Sequence, residues 1–121
     1  MAFAYSRLTE ITTIAAAAGA LYANPASTTT YIRSIIIHNT HTAAEDVILY
    51  NVPDGAGVPD PTEVGTAGAT NQFFKKSMQP NDIVMLEFPA PGLILEDEND
   101  TIQGVTDTAS KVTIQIMGAT E

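Results

Sequence analysis

The sequence predicts an all-β fold, an antiparallel β-sandwich for which a jelly roll is one fitting arrangement, with an extended N-terminal segment. Three observations predict it. Apolar residues recur mostly with a period of two, as in Lys111–Met117, where Val112, Ile114 and Ile116 alternate with Lys111, Thr113 and Gln115. Prolines 25, 53, 80, 89 and 91 fall between the apolar runs, where a missing N–H costs no ladder bond. Seven to nine short β-type runs within 121 residues leave room for one packed domain.

Each run has its own reason. Tyr31–Asn39 (YIRSIIIHN) is aromatic and β-branched; strict alternation puts Ile35 and Ile37 on one side and Ile32 and Ile36 on the other, which predicts a strand covered on both faces. Glu45–Val52 follows after the polar His-Thr-Ala-Ala connection, so residues 30–52 read as a hairpin. Further short strands are predicted at Asn71–Met78, Asp82–Phe88, Leu93–Leu95 and Thr101–Val105. Phe3–Ile14 has Thr and Ile at strand-like spacing, and Leu21–Ala23 is another short strand. Ala15–Gly19 supports one helical turn at most, because threonines and Pro25 hem it in. Asp54–Gly68 is rich in Gly, Pro and Asp and reads as a loop, mobile or ordered by a partner. These runs divide the chain into residues 1–28, an N-terminal arm or the first strands, and a β-sandwich domain over 29–121.

Composition narrows the function. Cysteine is absent, which excludes disulfides, thiolate metal sites and Cys nucleophiles. The formal net charge is −9, and Asp82–Glu121 carries most of it with 8 acidic residues against the single Lys111. That sign opposes counterion release from phosphates, so nucleic acid is not an expected partner. Only 16% of residues are charged while 45% are hydrophobic, which excludes an acidic disordered tail and suits a surface that packs against protein. The small-to-apolar stretch Ile11–Leu21 is too short to span a membrane and, with Glu10 at its mouth, does not read as a cleaved signal.

Candidate chemistry is sparse. His38 and His41 stand three apart near Glu45 and Asp46, a conceivable metal set, but across a strand end and turn they read as ordinary turn histidines. Glu96, Glu98 and Asp100 alternate, with Asp107 further on; Thr101 stands where a calcium loop of the EF-hand type needs glycine, which leaves these three as weak calcium candidates beside a plain acidic turn. Asn99-Asp100-Thr101 fits a glycosylation sequon, which has no meaning without secretion. Gln72–Lys76 mixes aromatics and lysines as single-strand binders do, but two lysines against −9 read better as the blunting of an edge strand. No nucleophile elbow, zinc-protease helix, Walker A or dinucleotide fingerprint is present, so neither catalytic residues nor a cofactor is expected, and the chain reads as a non-enzyme.

The order of segments resembles small virion proteins of tailed bacteriophages. The resemblance runs over about residues 20–121: Leu21-Tyr22-Ala23-Asn24-Pro25, then Ile32–Thr40 ending Asn-Thr, then Val47-Ile48-Leu49-Tyr50. It continues with Leu93-x-Leu95, the acidic turn into Asp100-Thr101-Ile102-Gln103-Gly104, and Lys111–Ile114 leading to the closing Gly118–Glu121. The turn in that family reads Gly-Asp-x-Ile, and here Asn99 replaces the Gly. The resemblance implies a capsid decoration, or cement, protein on the outer surface of the virion, made in the host cytoplasm. Its implied partners are the major capsid protein and further copies of itself, a trimer being favoured, with no membrane involved. A neck, tail-completion or baseplate component is the alternative, and a calcium-dependent binding module a second one. Phe3, Tyr5, Leu8 and Ile11 would anchor an N-terminal arm that adds a strand to a neighbour, unless they are simply the first strands of the sandwich. Val58 and Val64 in the 54–68 loop are the other interface candidates.

Overall fold

The computed structural model describes residues 6–54 and 65–121. Phe3, Tyr5, Val58 and Val64 therefore lie outside the described residues. Strands β1 (Ser6–Arg7), β2 (Thr12–Thr13), β3 (Gly19–Ala23), β4 (Thr30–Asn39), β5 (Glu45–Val52), β6 (Gln72–Met78), β7 (Ile83–Glu87), β8 (Leu93–Leu95), β9 (Thr101–Thr106) and β10 (Val112–Thr120) form two antiparallel sheets. Sheet A has the order β1-β10-β4-β7, with β2 also on β10 and β8 also on β4; sheet B has the order β3-β9-β5-β6. All but the β5–β6 hairpin and the links within the β1/β2 and β7/β8 lines cross between sheets, which is the double Greek key of a jelly roll.

Alternation puts one face of each strand into the slab between the sheets. Ile32, Ile35 and Ile37 of β4, Val112, Ile114 and Ile116 of β10, Val47 and Leu49 of β5, and Ile102 of β9 fill it. Ile14, just after β2, is fully buried with them. Each such aliphatic side chain contributes about 1.5–3 kcal/mol through burial.

Two expectations about β4 are corrected. Residues 30–52 are not a hairpin: β4 pairs with β10, β7 and β8 in sheet A, whereas β5 pairs with β6 and β9 in sheet B. The polar connection after β4 is therefore an arch between layers. Nor does β4 send Ile32 and Ile36 to one face. The register slips opposite Met117/Gly118, with Met117 facing Ser34 and Gly118 facing Ile32, so Arg33 is an extra residue. This bulge swings Ile32 into the core beside Ile35 and Ile37, while Ile36 stays on the outside, half-buried. Glycine is needed opposite the bulge, because a Cβ at residue 118 would collide with the Tyr31 carbonyl. Residues 15–18 form no helix, and β3 starts directly at Gly19.

A buried asparagine fastens each end of the slab. Asn39 Nδ2 donates to the carbonyls of Ala43, Met78 and Gln79 at 3.0–3.2 Å, and its Oδ1 accepts the His41 N–H at 2.9 Å. Asn24 Nδ2 donates to the carbonyls of Thr28 and Asp97, and its Oδ1 accepts the Thr30 hydroxyl at 2.6 Å. Each satisfies backbone groups that the crossing chain leaves outside the ladders. No helix among the described residues is long and apolar enough to cross a membrane.

Candidate functional site

The acidic turn lies at the Asn24 end. Asn99 adopts φ 67° there, a left-handed conformation that Asn tolerates and that turns the chain into β9. Asp100 serves the turn itself. Its Oδ2 accepts the N–H groups of Glu96 (3.2 Å) and Asp97 (3.0 Å), and its Oδ1 accepts the N–H of Asp54 (2.9 Å), which leaves β5 alongside. Glu96 and Glu98 are exposed and do not join it. The carboxylates that gather are instead those of Asp54, Asp97 and Asp100, with ligand atoms within 4.8 Å of one another. Among the described residues this is the one such grouping of three, so the calcium set read from the sequence keeps only Asp100. Asp97 sits between the two alternating glutamates, and Asp54 comes from a strand about 45 residues earlier. Local spacing could not point to it. Hard cations take oxygen ligands of this kind, but six to eight of them, and Asp100 is already engaged by three backbone donors.

At the opposite end Glu45, 2% exposed, is held from several sides. Its Oε1 accepts the Thr108 N–H at 2.8 Å, and its Oε2 lies 3.1 Å from the Thr108 hydroxyl and 3.2 Å from His41 Nδ1. This clasp ties the β4–β5 arch to the β9–β10 turn. Asp46 is exposed, and its N–H donates to Asp107 Oδ2 at 2.8 Å. His38 lies apart from all of them on the outside of sheet A. The two histidines therefore form no joint metal set, and His41 acts as a structural partner of a buried carboxylate.

The N-terminal stretch runs along its own sheet. Ser6 and Arg7 pair with Gly118 and Met117, and Thr12 and Thr13 with Ile114 and Thr113. The Leu8 N–H donates to the Ile116 carbonyl at 2.8 Å, and the Leu8 side chain packs against the core. Ile11 does neither and is 68% exposed. On the far edge of sheet B, β6 presents Lys75 and Lys76 to solvent while Phe73 and Phe74 pack inward, Phe73 edge-on to Phe88 with centroids 6.3 Å apart. Among the described residues β6 pairs only with β5, so the aromatic–lysine run is an edge strand.

The feature that the sequence reading passed over is the outside of sheet A. Register fixes its rows: Thr113, His38 and Ile83 lie side by side, then Gln115, Ile36 and Met85, then Met117, Ser34 and Glu87. Ile83 is 66% exposed and Met85 55%. Ile11 and Ile83 flank a groove of about 230 Å³ whose other lining residues include Ile36, His38, Thr113 and Gln115. Among the Asp, Glu, Lys and Arg residues, these nine positions include only Glu87, and Arg7, level with Met117 on β1, continues that row. A signal existed, since Asp82–Phe88 alternates poorly and keeps apolar residues on both sides, but only the register shows which neighbours join them.

Compared with protein-family models, with curated proteins and with solved structures, the chain matches none of them.

Proposed function

We propose that this chain is a non-enzymatic virion protein of a tailed bacteriophage, a decoration or cement protein that binds the outer surface of the capsid lattice as a homo-oligomer and contacts the major capsid protein. The observation that carries the reading is an outer face of sheet A with few charges and with exposed Ile83 and Met85, on a chain of net charge −9. Such a face suits work done by buried contact area, because few charges need be stripped of water. The segment order that resembles phage virion proteins supports the same class. The acidic balance suits a place outside the shell, where packaged DNA does not repel it at close range.

Copy number per particle, measured by quantitative mass spectrometry of purified virions, tests the proposal. Abundance comparable to the major capsid protein is the expected result. A handful of copies would move the protein to the neck, tail or baseplate, and absence from virions would overturn the reading. The second reading, a calcium-dependent binding module, draws on the Asp54, Asp97 and Asp100 grouping and requires calcium to raise the melting temperature.

A further inference from the structure

We infer that the free edge of β7 is a strand-addition site, which takes an extended segment of a different protein as a further antiparallel strand of sheet A. The inference goes beyond the virion reading and does not depend on it.

Backbone hydrogen bonding is the first observation. The Asn39 N–H donates to the Asp82 carbonyl at 3.0 Å, and the Phe88 N–H donates to the Arg33 carbonyl at 2.9 Å. Between these two bonds the register is unbroken, with Ile37 opposite Val84 and Ile35 opposite Leu86. Successive residues of an antiparallel strand bond to opposite sides. Val84 and Leu86 therefore direct their N–H and C=O groups at β4, and those of Ile83, Met85 and Glu87 point away from it. Among the described residues β7 pairs with β4 alone, so no strand meets that second side.

The second observation is that the other described edges are guarded. β6 carries Lys75 and Lys76 and slips register against β5, and β3 slips against β9. β1, β2 and β8 are three residues long or shorter. β7 is a regular run of five residues with no lysine, proline or slip. Such an edge is a template for one more strand.

Side chains state which strand. Val84 and Leu86 are half-buried against the core, and Phe73 of β6 meets Phe88 edge-on at the same side of the slab. An added strand closes over this rim, which calls for apolar residues at its inward positions. Its outward positions lie beside Ile83, Met85 and Glu87, all exposed. Glu87 and the net charge of −9 favour a basic residue level with Glu87 and disfavour an acidic segment. Opposite residues 87 to 83 the pattern is thus basic, apolar, polar, apolar, polar. A second copy of β7 fits poorly, because pairing two-fold about Met85 offers Glu87 only an isoleucine.

Amide NMR of the full chain, titrated with the capped peptide acetyl-Lys-Val-Thr-Ile-Gln-amide to about 5 mM, tests this. The expected result is saturable shifts centred on Ile83, Met85 and Glu87, with a Kd of about 1 mM. Met85→Pro removes the central outward N–H without touching a bond to β4, and it should abolish those shifts. Glu87→Lys, at an exposed position, is the second variant. It should weaken this peptide by about 3–10-fold, and acetyl-Glu-Val-Thr-Ile-Gln-amide should bind that variant better than it binds the wild type. No saturable shift, or shifts centred on β6 or on the outer rows of β10, would overturn the inference. So would binding that both variants leave intact. Shifts of the β7 amides with chain concentration alone would give the edge to a second copy and overturn it as well.

Discussion

The two sheets of this jelly roll treat their outer faces differently. On sheet B, Val52, Thr101 and Gln103 are buried although they point away from the core that Ile102 and Gly104 face. The chain fastens its own connection there: Asp54 is held by Asp100, and Gln103 Nε2 donates to the Gly65 carbonyl at 2.9 Å and to Thr101 Oγ1 at 3.0 Å. The rest of that face carries Asp46 and Lys75. Sheet A has neither device. Two of its outer rows end in exposed Ile83 and Met85, and the third ends in Glu87. β7, at the edge, has no lysine, proline or register slip of the kind that blunts β6. A monomer rarely keeps such a patch bare without a use for it. The contrast separates a face whose outward residues are partly covered from a face whose outward residues stay exposed.

The largest expected effect probes inside against outside on a single strand. Ile35→Ala, in the core, should cost about 3 kcal/mol, whereas Ile36→Ala one residue later should cost under about 1 kcal/mol, both read from urea midpoints at constant m. Equal costs would mean that the outer face is more tightly packed than described. Next is the fastening of sheet B. Asp100→Ala removes the acceptor of three backbone donors and should cost about 1–2 kcal/mol. Because Asp100 serves as a cap, millimolar calcium should leave the wild-type melting temperature unchanged; a rise of several degrees would favour the binding-module reading. Gln103→Ala should cost about 1 kcal/mol by releasing the Gly65 carbonyl, read from the urea midpoint at constant m.

How much of this could be read from the sequence depends on range. β10 and β5 were legible because alternation is a property of adjacent residues, and the interior of the sandwich follows from it. The arch after β4 was not, because the strand that pairs with β4 is β10, far along the chain, and nothing in His-Thr-Ala-Ala distinguishes an arch from a hairpin. The bulge at Arg33 was also hidden. Its partner is Gly118, and only the close approach of Tyr31 to that glycine explains why alternation fails at Ile32. For the acidic turn, spacing selected Glu96 and Glu98, whereas the left-handed Asn99 and the return of β5 assemble Asp97 and Asp54 around Asp100.

The smallest expected effect lies beyond the bulge, where sheet A turns acidic. The Tyr31 hydroxyl donates to Glu121 Oε2 at 2.7 Å. That bond, with desolvation and the charges of Glu121 and Glu96, holds the phenol above the usual tyrosine range. A raised value in the folded state favours folding below the ordinary tyrosine range, and the contribution is lost as pH climbs through the raised value. Absorbance at about 295 nm should show one phenol ionising late, and Glu121→Gln should bring it earlier.

The most direct test of the contrast is methyl NMR of the wild-type chain with a soluble paramagnetic agent. The account predicts that the methyl signals of Ile83 and Met85 on sheet A relax strongly while those of Val52 on sheet B are protected. Equal relaxation on the two faces, or stronger relaxation at Val52, would contradict it.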